Sequence, residues 1–581
     1  MKLNEALKAL AAARERPIGH AGFLACGFEP LHLPVFLRAC YAERYADRAL
    51  EVAVGLYGDL LGNLERARQS DATVAWAMLE WADVDPRLGL RATGAWSGAQ
   101  EAVLLADAAQ RLARLRDGIE RVAERMPIVV AGPTLPFPLI GHTSGWQASP
   151  VELELELLLS RFCADVARIG QVRVLHPQRL AAVSPVAGRG DARGELAAGF
   201  PYTLEHCSAL ARGLIELGFP TLPKKGLITD LDDTLWSGIV GEVGADAVAW
   251  SQAEHAQLHG LYQLLLRQLA ESGVLLGVAS KNEPDVVRAA LARRDLLVDE
   301  ASFFPIAVSW GPKSEAVGAI LRAWNVGADA VVVVDDSRME LEEIRRAHPG
   351  IECVEFAPRD ARRTLEALSR LRDAFGKPQT LEEDRLRAAS IKSSVQFEQQ
   401  RASGDLQSFL LGLDGVVTFD ARAESDGGRW LELLNKTNQF NLNGARVSEG
   451  EWLRRVGEAG HVAIGVAYAD RLGPLGTIGV VSGRLVLQGP ERRLDIDHWV
   501  LSCRAFSRKI EDHTLQQLFD LAGVDTLRLS YRQTQRNQPL REFLARIEHL
   551  PEADGAIDIH RQGLASALGG LPHRVQVAGK E

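Results

Sequence analysis

The sequence of 581 residues has no long run of lysine and arginine, no CxxC pair and no uninterrupted apolar stretch of membrane-spanning length. Its net charge is −10, so it carries no basic field to attract a nucleic acid backbone. The six cysteines are scattered and form no cluster with histidine at zinc spacing, which suits a reduced, cytoplasmic protein. We therefore expect neither nucleic acid nor membrane as a partner.

The length predicts three or four domains, and a hydrophobic content of 46% provides apolar material for several cores. Short apolar strands alternate with helical patterns in most of the chain, which predicts an α/β protein. Pro220 and Pro223 mark the end of the first region. The predicted segments are an N-terminal α/β domain (1–222), a central domain (223–360), a charged helical linker (361–405), a mixed α+β domain (406–550) and a loosely ordered tail (551–581).

The segment LITDLDDTLW carries the first chemical signal, because Asp230, Asp232 and Thr234 follow an apolar strand at every second position. Period-two geometry sends their side chains to one side of the chain. Two neighbouring carboxylates repel each other unless a cation offsets their charge, and oxygen-rich clusters suit Mg²⁺. Taken alone, the segment could equally be a polar turn after a buried strand.

Polar residues also follow the later apolar strands of the central region. VLLGVAS ends at Ser280 and is followed by Lys281 and Asn282, while AVVVVDD ends at Asp335 and Asp336. A helix opens with Lys313 in WGPKSEAV. The carboxyl ends of parallel strands converge on one crevice, so these groups can meet there and bind a phosphoryl group and a metal.

These motifs, in this order, resemble the four motifs of the haloacid dehalogenase superfamily. The resemblance implies that Asp230 is the nucleophile that forms an aspartyl-phosphate and that Asp232 is the general acid/base. It implies that Ser280 and Lys313 hold the phosphoryl group. The metal residues are then Asp230, Asp232 through its carbonyl, Asp335 and Asp336, and the substrate-binding candidates are Thr234, Trp236, Lys281 and Asn282.

The segments DLDDTLWSGIVGE and ASKNEPD resemble the FkbH-like branch of this superfamily, which belongs to polyketide and nonribosomal-peptide pathways. Only 50 positions separate Asp230 from Ser280, and 22 separate Lys313 from Asp335, so neither gap holds a large cap domain. The site is therefore expected to be uncapped. Trp236 is either part of a local flap over it or a packed core residue.

The third region resembles the C-terminal part of FkbH-like proteins, which looks like an N-acetyltransferase-type fold. The resemblance rests on KTNQFN, DRLGPLGTIGV and HWVLSCRAFSRKIE. It implies an acyl-handling role for residues in these segments, and the candidates are Asn435, Lys436, Thr437, Asn438, Cys503 and Arg504. A lone cysteine such as Cys503 is otherwise a common packing residue.

The first region resembles an SGNH-hydrolase-like domain, through LACGFEPLHLPVFLRA and WADVDPRLGLR. It lacks both the GDS nucleophile motif and the DxxH pair, so we expect a degenerate domain. Asp83, Asp85 and Arg87 are predicted to form a structural turn with a salt bridge. The predicted fold is thus a central Rossmann-like haloacid-dehalogenase domain between an SGNH-hydrolase-like domain and an acyltransferase-like domain.

The resemblance implies an enzyme that takes a glyceryl group from 1,3-bisphosphoglycerate, removes phosphate and loads the group on an acyl carrier protein, with Mg²⁺ as cofactor. One departure is Gly226, which stands where glyceryl-loading relatives often have a cysteine four positions before the nucleophile. The alternatives are a Mg²⁺-dependent phosphatase or phosphotransferase acting on another phosphate ester, and a non-catalytic assembly protein.

Overall fold

Three β-sheets form the framework of the chain in the computed structural model, which describes residues 1–92, 100–137, 143–377, 391, 406–421, 427–488, 491–551, 554–562, 564, 568 and 571–578. The chain divides into two units. Unit 1 comprises Met1–Thr221 and Val447–Glu458, and unit 2 comprises Leu222–Arg446 and Ala459–Glu581. Within the described ranges, no helix is both long enough and apolar enough to cross a membrane.

Unit 1 is built on a five-stranded parallel sheet with the strand order β2-β1-β3-β4-β5. The strands are β1 (Ile18–Cys26), β2 (Ala49–Val54), β3 (Val74–Met78), β4 (Ile128–Ala131) and β5 (Val172–Val174). The helices are α1 (Leu3–Ala12), α2 (Leu33–Arg44), α3 (Leu60–Gln69), α4 (Trp81–Val84), α5 (Glu101–Ala123), α6 (Pro150–Val166), α7 (Pro177–Val183), α8 (Ala192–Ala198) and α9 (Leu204–Gly218).

The central strands of this sheet are buried on both faces, because β3 and β4 are continuous apolar runs. Two hydrophobic clusters pack against them. The indole of Trp76 is fully buried and donates a hydrogen bond to the carbonyl of Leu214, at 3.0 Å, which ties β3 to α9. The α/β class expected for the first region is confirmed.

The central part of unit 2 contains a second five-stranded parallel sheet, with the order β10-β9-β6-β7-β8. Its strands are β6 (Gly226–Thr229), β7 (Leu275–Ser280), β8 (Phe303–Val308), β9 (Val331–Asp335) and β10 (Glu352–Glu355). Its helices are α10 (Val240–Val243), α11 (Gln257–Glu271), α12 (Pro284–Leu291), α13 (Lys313–Trp324), α14 (Arg338–Ala347) and α15 (Ala361–Phe375).

The strand order of this sheet brings the predicted motifs together. β6 lies in the middle, with β7 on one side and β9 on the other. All three are buried apolar strands whose carboxyl ends open on the same edge. The residues that follow β6, β7 and β9 therefore meet at one crevice, as the sequence predicts.

The last part of unit 2 is a mixed eight-stranded sheet with the order β17-β16-β15-β14-β13-β11-β18 and with β12 paired to β15. The strands are β11 (Val416–Asp420), β12 (Phe440–Asn441), β13 (His461–Asp470), β14 (Gly473–Gln488), β15 (Glu491–Leu501), β16 (Thr526–Tyr531), β17 (Gly555–His560) and β18 (Arg574–Ala578). The helices are α16 (Leu406–Gly412), α17 (Gly427–Lys436), α18 (Glu449–Val456), α19 (Ile510–Ala522) and α20 (Gln538–Ala545), of which α18 belongs to unit 1.

The segment after Pro551 differs from the loosely ordered tail expected from the sequence. β17 pairs with β16 and β18 pairs with β11, so the segment contributes strands to both edges of the eight-stranded sheet. Ile557 and Ile559 of β17 are buried in the hydrophobic cluster of this domain. In the predicted linker, α15 is helical as expected, and apart from residue 391 the positions from 378 to 405 lie outside the described residues.

Candidate functional site

The turn after β6 holds Asp230 and Asp232 in fixed positions. The amide of Asp230 donates to the carbonyl of Val334 in β9, at 3.0 Å, so the sheet register continues to the first aspartate. The chain then turns tightly, with the amides of Leu235 and Trp236 donating to the carbonyl of Leu231. Leu231 and Leu235 are fully buried in the domain core, which anchors the turn on its apolar side.

Asp233 has a structural role in this turn. Its φ angle is +50°, in the left-handed region that aspartate and asparagine tolerate better than most residues. Its carboxylate accepts a hydrogen bond from the amide of Gly238, at 2.9 Å, which closes the loop that follows. The short segment between β6 and α11 contains no inserted domain, in agreement with the uncapped site expected from the spacing.

Lys313 is the buried cation of the site, at the first position of α13. Its ammonium group lies 3.0 Å from the carboxylate of Asp230 and 2.6 Å from that of Asp335. It also lies 2.5 Å from Glu340, in the first turn of α14. One ammonium group thus faces three carboxylates from three elements of the sheet edge.

The electrostatics of these groups follow from burial and charge. Burial raises the pKa of Asp230, and the charge of Lys313 opposes the rise. Burial alone would lower the pKa of Lys313, but the carboxylates of Asp230 and Asp335 raise it overall, so the amine stays protonated. Burial, and then the charge of Asp335, raise the pKa of Asp336 to about 6. The carboxylates outnumber the cation, so a further positive charge is favourable here.

Three of these carboxylates meet the requirements of a divalent cation. Asp230, Asp335 and Asp336 each offer an oxygen atom within 4.8 Å of the others. Mg²⁺ takes oxygen ligands at about 2.1 Å in an octahedron, so one ion can draw such a group together. The donor set therefore fits Mg²⁺, in agreement with the cofactor expected from the sequence.

The carboxylate of Asp232 is held by a separate set of donors and does not belong to that group of three. One of its oxygens accepts from the indole of Trp236 and from the amide of Val240, both at 3.0 Å. The other accepts from the side-chain amide of Asn282, at 2.9 Å. These bonds fix the orientation of the carboxylate.

Trp236 and Asn282 support Asp232 from buried positions. Trp236 has no exposed surface and packs in the core of the central domain, so the structure has the packed alternative that the sequence left open. Asn282 is 3% exposed and also donates to the hydroxyl of Ser280, at 3.1 Å. Both are candidates for substrate binding, and in the structure both donate hydrogen bonds to residues of the aspartate site.

The remaining predicted residues lie at the same edge of the sheet. Ser280 is the last residue of β7 and is 3% exposed. Thr234 is fully buried, and its hydroxyl has no hydrogen-bond partner among the residues that the structure describes. Lys281 is partly exposed and pairs with Glu340, at 3.0 Å. Of the substrate-binding candidates, Lys281 is the most accessible.

Glu340 is the site residue that the sequence analysis missed. It bridges Lys313 and Lys281, and these contacts lower its pKa although burial by itself would raise it. It follows Asp335 by five positions in the sequence. It is the third residue of α14, whose N-cap is Ser337. A glutamate in the first turn of a helix is common, so the only available signal was its position after the strand-terminal aspartates.

The acyl-handling candidates lie at the opposite edge of the central sheet from Asp230. Asn435, Lys436, Thr437, Asn438, Cys503 and Arg504 all line one cavity of about 610 Å³ in unit 2. The cavity also touches Lys225, just before β6, and Asn325, which follows α13. These positions precede the strands, whereas Asp230 follows β6. The structure brings the six candidates together, but not with the aspartates.

Cys503 lies at the wall of this cavity. Its sulfur is 3.8 Å from the carbonyl of Asn325. Burial raises the pKa of its thiol, and the charge of Arg504 opposes part of that rise. The thiol is therefore mostly protonated at neutral pH.

The predicted structural turn in unit 1 is confirmed. Arg87 makes a two-point contact with Asp85, at 2.8 Å for both hydrogen bonds, and Asp85 also accepts from the backbone amide of Arg87. Asp83 accepts from the backbone amide of Glu80, at 2.9 Å, and so caps α4. These carboxylates are engaged in local structure.

No family model matches the sequence, and no curated protein matches it either. Among solved structures, the chain is similar to the N-terminal part of the protein BF1531 from Bacteroides fragilis, which contains a phosphatase domain and was solved in complex with Mg. The identity is 16% and the TM-score 0.50, over 65% of this chain and all of that chain.

A second match is an uncharacterized protein from Corynebacterium glutamicum ATCC 13032 Kitasato, with 16% identity and a TM-score of 0.19, over 26% of this chain and 98% of that chain. That likeness is too slight to carry an argument. The chain thus shares its α/β fold with the Bacteroides structure, which contains a phosphatase domain.

Proposed function

We propose that this chain is a Mg²⁺-dependent phosphoryl-handling enzyme of the haloacid dehalogenase type, with its active site at the carboxyl ends of β6, β7 and β9. One observation carries the proposal: at one edge of a parallel sheet, the ammonium group of Lys313 lies within 3.0 Å of the carboxylates of both Asp230 and Asp335. The phosphatase domain and Mg reported for the similar Bacteroides structure agree with it.

In the proposed reaction, an oxygen of Asp230 attacks the phosphorus atom while the bond from phosphorus to the leaving oxygen breaks. Asp232 gives a proton to that leaving oxygen. Water then attacks the phosphorus atom of the aspartyl-phosphate while the bond from phosphorus to the Asp230 oxygen breaks. Asp232 takes a proton from that water, and inorganic phosphate leaves. Ser280 and Lys313 bind the phosphoryl oxygens during both steps.

Asp230, Asp335 and Asp336 would hold the metal ion. A bound Mg²⁺ supplies positive charge that stabilises the transferring phosphoryl group. The chain's own residues complete the site: Lys313 orients Asp230 and Asp335, while Trp236 and Asn282 orient Asp232.

The test is phosphate release from acetyl phosphate and from a panel of phosphate monoesters, with Mg²⁺ and after chelation. We expect Asp230→Asn to lower the rate by about a thousandfold or more, because the amide has the shape of the carboxylate but not its nucleophilic charge. The matched control is Asp285→Asn, at a side chain that is 91% exposed and outside the site, which should leave the rate unchanged. Wild-type rates in Asp230→Asn, or full turnover after chelation, would contradict the proposal.

A finer form of the proposal is the FkbH-like reaction, in which a glyceryl group passes from 1,3-bisphosphoglycerate to an acyl carrier protein. A thiol would hold the group between donor and carrier: its sulfur bonds to the acyl carbon as the bond from that carbon to the phosphate oxygen breaks. A cysteine at position 226 would require the side chain of Trp324 to shift, since a Cβ there would lie 2.5 Å from its ring. Cys503 is the alternative, because it lines the cavity that Lys225 also lines.

Intact-mass analysis of a holo carrier protein tests this finer proposal, after incubation with the chain, Mg²⁺ and 1,3-bisphosphoglycerate. We expect a mass increase that Cys503→Ala abolishes while Asp230-dependent phosphate release persists. Cys353→Ala, at a buried cysteine outside the cavity, is the control and should still acylate the carrier. Phosphate release without carrier acylation would reduce the function to that of a phosphatase or phosphotransferase. No phosphate release from any donor would favour a non-catalytic assembly protein.

We further propose that unit 1 is a degenerate SGNH-hydrolase-like domain and that the eight-stranded sheet belongs to an acyltransferase-like domain. Support for the first is the five-stranded parallel sheet of unit 1 together with the local roles of Asp83, Asp85 and Arg87. Support for the second is that the amide-rich segment after α17 and the segment after β15 line a common cavity.

A further inference from the structure

Exposed apolar side chains surround the aspartate site. Between Gly226 and Glu355, a stretch that the structure describes throughout, five large apolar side chains are exposed. Four of them lie in segments that follow the carboxyl ends of β6, β8 and β9, and these are Ile239, Val243, Trp310 and Met339. The fifth, Ile306, lies within β8. The exposed apolar surface of the central domain is thus concentrated where the site opens, and such surface marks contact with a ligand.

Trp310 is the largest of these side chains, and its ring is fixed although it is exposed. The side chain is 68% exposed, a condition under which rotamers normally interchange. Its indole nitrogen donates a hydrogen bond to the carboxylate of Glu283, at 2.7 Å. Glu283 directly follows Asn282, which donates to Asp232. The indole is therefore held in one orientation by a neighbour of the aspartate site.

The loop that carries Trp310 is tied to the phosphoryl-binding residues from both sides. The amide of Ser309 donates to the carbonyl of Ser280, at 3.1 Å, and Lys313 follows Trp310 by three positions. β8 pairs with β7, which pairs with β6, so the loop begins roughly 10 Å from the strand that bears Asp230, at two strand spacings. The organic group of a bound phosphate ester spans such a distance.

The surroundings of the site indicate what Trp310 can contact. The segment between β6 and α11 contains no inserted domain, so no such domain encloses the organic group of a bound ester from that side. Contacts to that group then come from the side chains around the opening. An indole presents a flat apolar face, on which another ring stacks in an offset arrangement, whereas a short polyol chain offers little surface for stacking.

We propose that Trp310 is a specificity-determining residue of the aspartate site, with its indole stacked on a flat ring in the organic group of the phosphorylated substrate. This inference rests on the proposed phosphoryl-handling function and names its substrate class: a phosphate ester that carries an aromatic or heteroaromatic ring. Glu283 is a positioning residue that orients the indole. A glyceryl donor has no ring, so the inference belongs to the phosphatase form of the proposed function.

Two phosphonates that differ only by a phenyl ring, 2-phenylethylphosphonate and ethylphosphonate, test the proposal, because their carbon to phosphorus bond resists cleavage. Calorimetric titration of the full chain with Mg²⁺ measures both affinities. We expect the wild type to bind the phenyl compound tighter by about fivefold or more, and Trp310→Ala to bind both compounds alike. Trp310→Phe keeps an aromatic face and should keep the preference within about twofold. Trp146→Ala, at an exposed tryptophan of unit 1, should bind like wild type.

The role of Glu283 is tested by the same pair of ligands. Glu283→Ala releases the indole and should reduce the preference for the phenyl compound without changing the affinity for ethylphosphonate. Glu283→Gln retains an acceptor oxygen and should restore the preference. Equal preferences in the wild type and Glu283→Ala would contradict the positioning role.

The other outcomes separate this inference from the proposed function. A ring preference that persists in Trp310→Ala, or that the wild type lacks, would overturn the role of Trp310. A matching loss of affinity for ethylphosphonate in Trp310→Ala would overturn it as well, because the effect would then come from the loop that carries Lys313. Phosphate release without a ring preference contradicts the role of Trp310 alone, and a ring preference without phosphate release from any ester contradicts the proposed function. No binding of either compound to the wild type at about 10 mM would contradict both.

Discussion

The indole of Trp236, which sequence analysis could assign either to a flap or to the core, is one of three donors that orient the Asp232 carboxylate. Trp236→Phe keeps most of the packed volume but removes the hydrogen bond at 3.0 Å to the Asp232 carboxylate. Hydrogen bonds to charged groups contribute about 1.5–3 kcal/mol. We expect kcat for phosphate release to fall about tenfold, since each 1.4 kcal/mol corresponds to a factor of ten, while KM stays near the wild-type value. Steady-state kinetics checks this.

Trp324→Phe is the matched control for that prediction. Trp324 is also buried, but its indole donates to the carbonyl of Phe304, at 2.6 Å, at the edge of the sheet away from the aspartates. Both substitutions should lower the free energy of unfolding in urea by about 1–3 kcal/mol. Only Trp236→Phe should lower kcat, and an equal loss of kcat in both would assign the effect to stability alone.

At the scale of elements, β17 contributes to the core although it follows the last predicted domain. Ile559 is 2% exposed and packs in the cluster between the eight-stranded sheet and its helices. Ile559→Ala should therefore lower the free energy of unfolding by about 2–5 kcal/mol, through lost burial and the cavity left behind. The change is measured by chemical denaturation, with hydrogen exchange of the C-terminal peptides as the probe of unfolding.

Val575 of β18 is the comparison residue for Ile559, because its side chain is 36% exposed. Val575→Ala should change the free energy of unfolding by no more than about 0.5 kcal/mol. If Ile559→Ala were equally neutral, β17 would not be part of the cooperative core, and a loosely ordered tail after Pro551 would describe the chain better.

At the scale of the whole molecule, unit 1 should respond to pH through a buried acid. Glu80 accepts hydrogen bonds from the hydroxyl of Tyr202, at 2.8 Å, and from Thr134, at 2.7 Å. Burial is the largest effect on this carboxyl, and it raises the pKa to about 7 from an ordinary value of 4.5. The folded state therefore holds a proton that the unfolded state has released in this interval.

The proton that the folded state retains determines the direction in which the stability of unit 1 changes with pH. The stabilisation linked to Glu80 is fully present below about pH 4.5 and is lost as pH rises through about 7, by about 3 kcal/mol in total. Glu80→Gln mimics the neutral acid, so the free energy of unfolding of unit 1 should lose this dependence. Hydrogen exchange of unit 1 peptides at pH 5 and pH 8 measures it, with unit 2 peptides as the internal reference. A wild-type pH dependence in Glu80→Gln would contradict the assignment.

The sequence by itself determined the parallel central sheet and the meeting of its strand-terminal residues. Short continuous apolar runs are typical of parallel strands that are buried on both faces, and β6 between β7 and β9 then brings Asp230, Ser280 and Asp335 to one edge. The local sequence is sufficient to predict these positions, because each residue lies at the carboxyl end of a strand that its own segment forms.

The tertiary structure alone decided the contacts between residues that are distant along the chain. Glu340 reaches Lys313 only because α13 and α14 lie side by side, and Trp236 reaches Asp232 only because the turn folds back on itself. The cavity of about 610 Å³ in unit 2 combines side chains from segments up to some hundreds of residues apart along the chain, such as Lys225 and Arg536. Periodicity fixes the face on which a side chain lies, whereas its partner depends on the packing of whole elements.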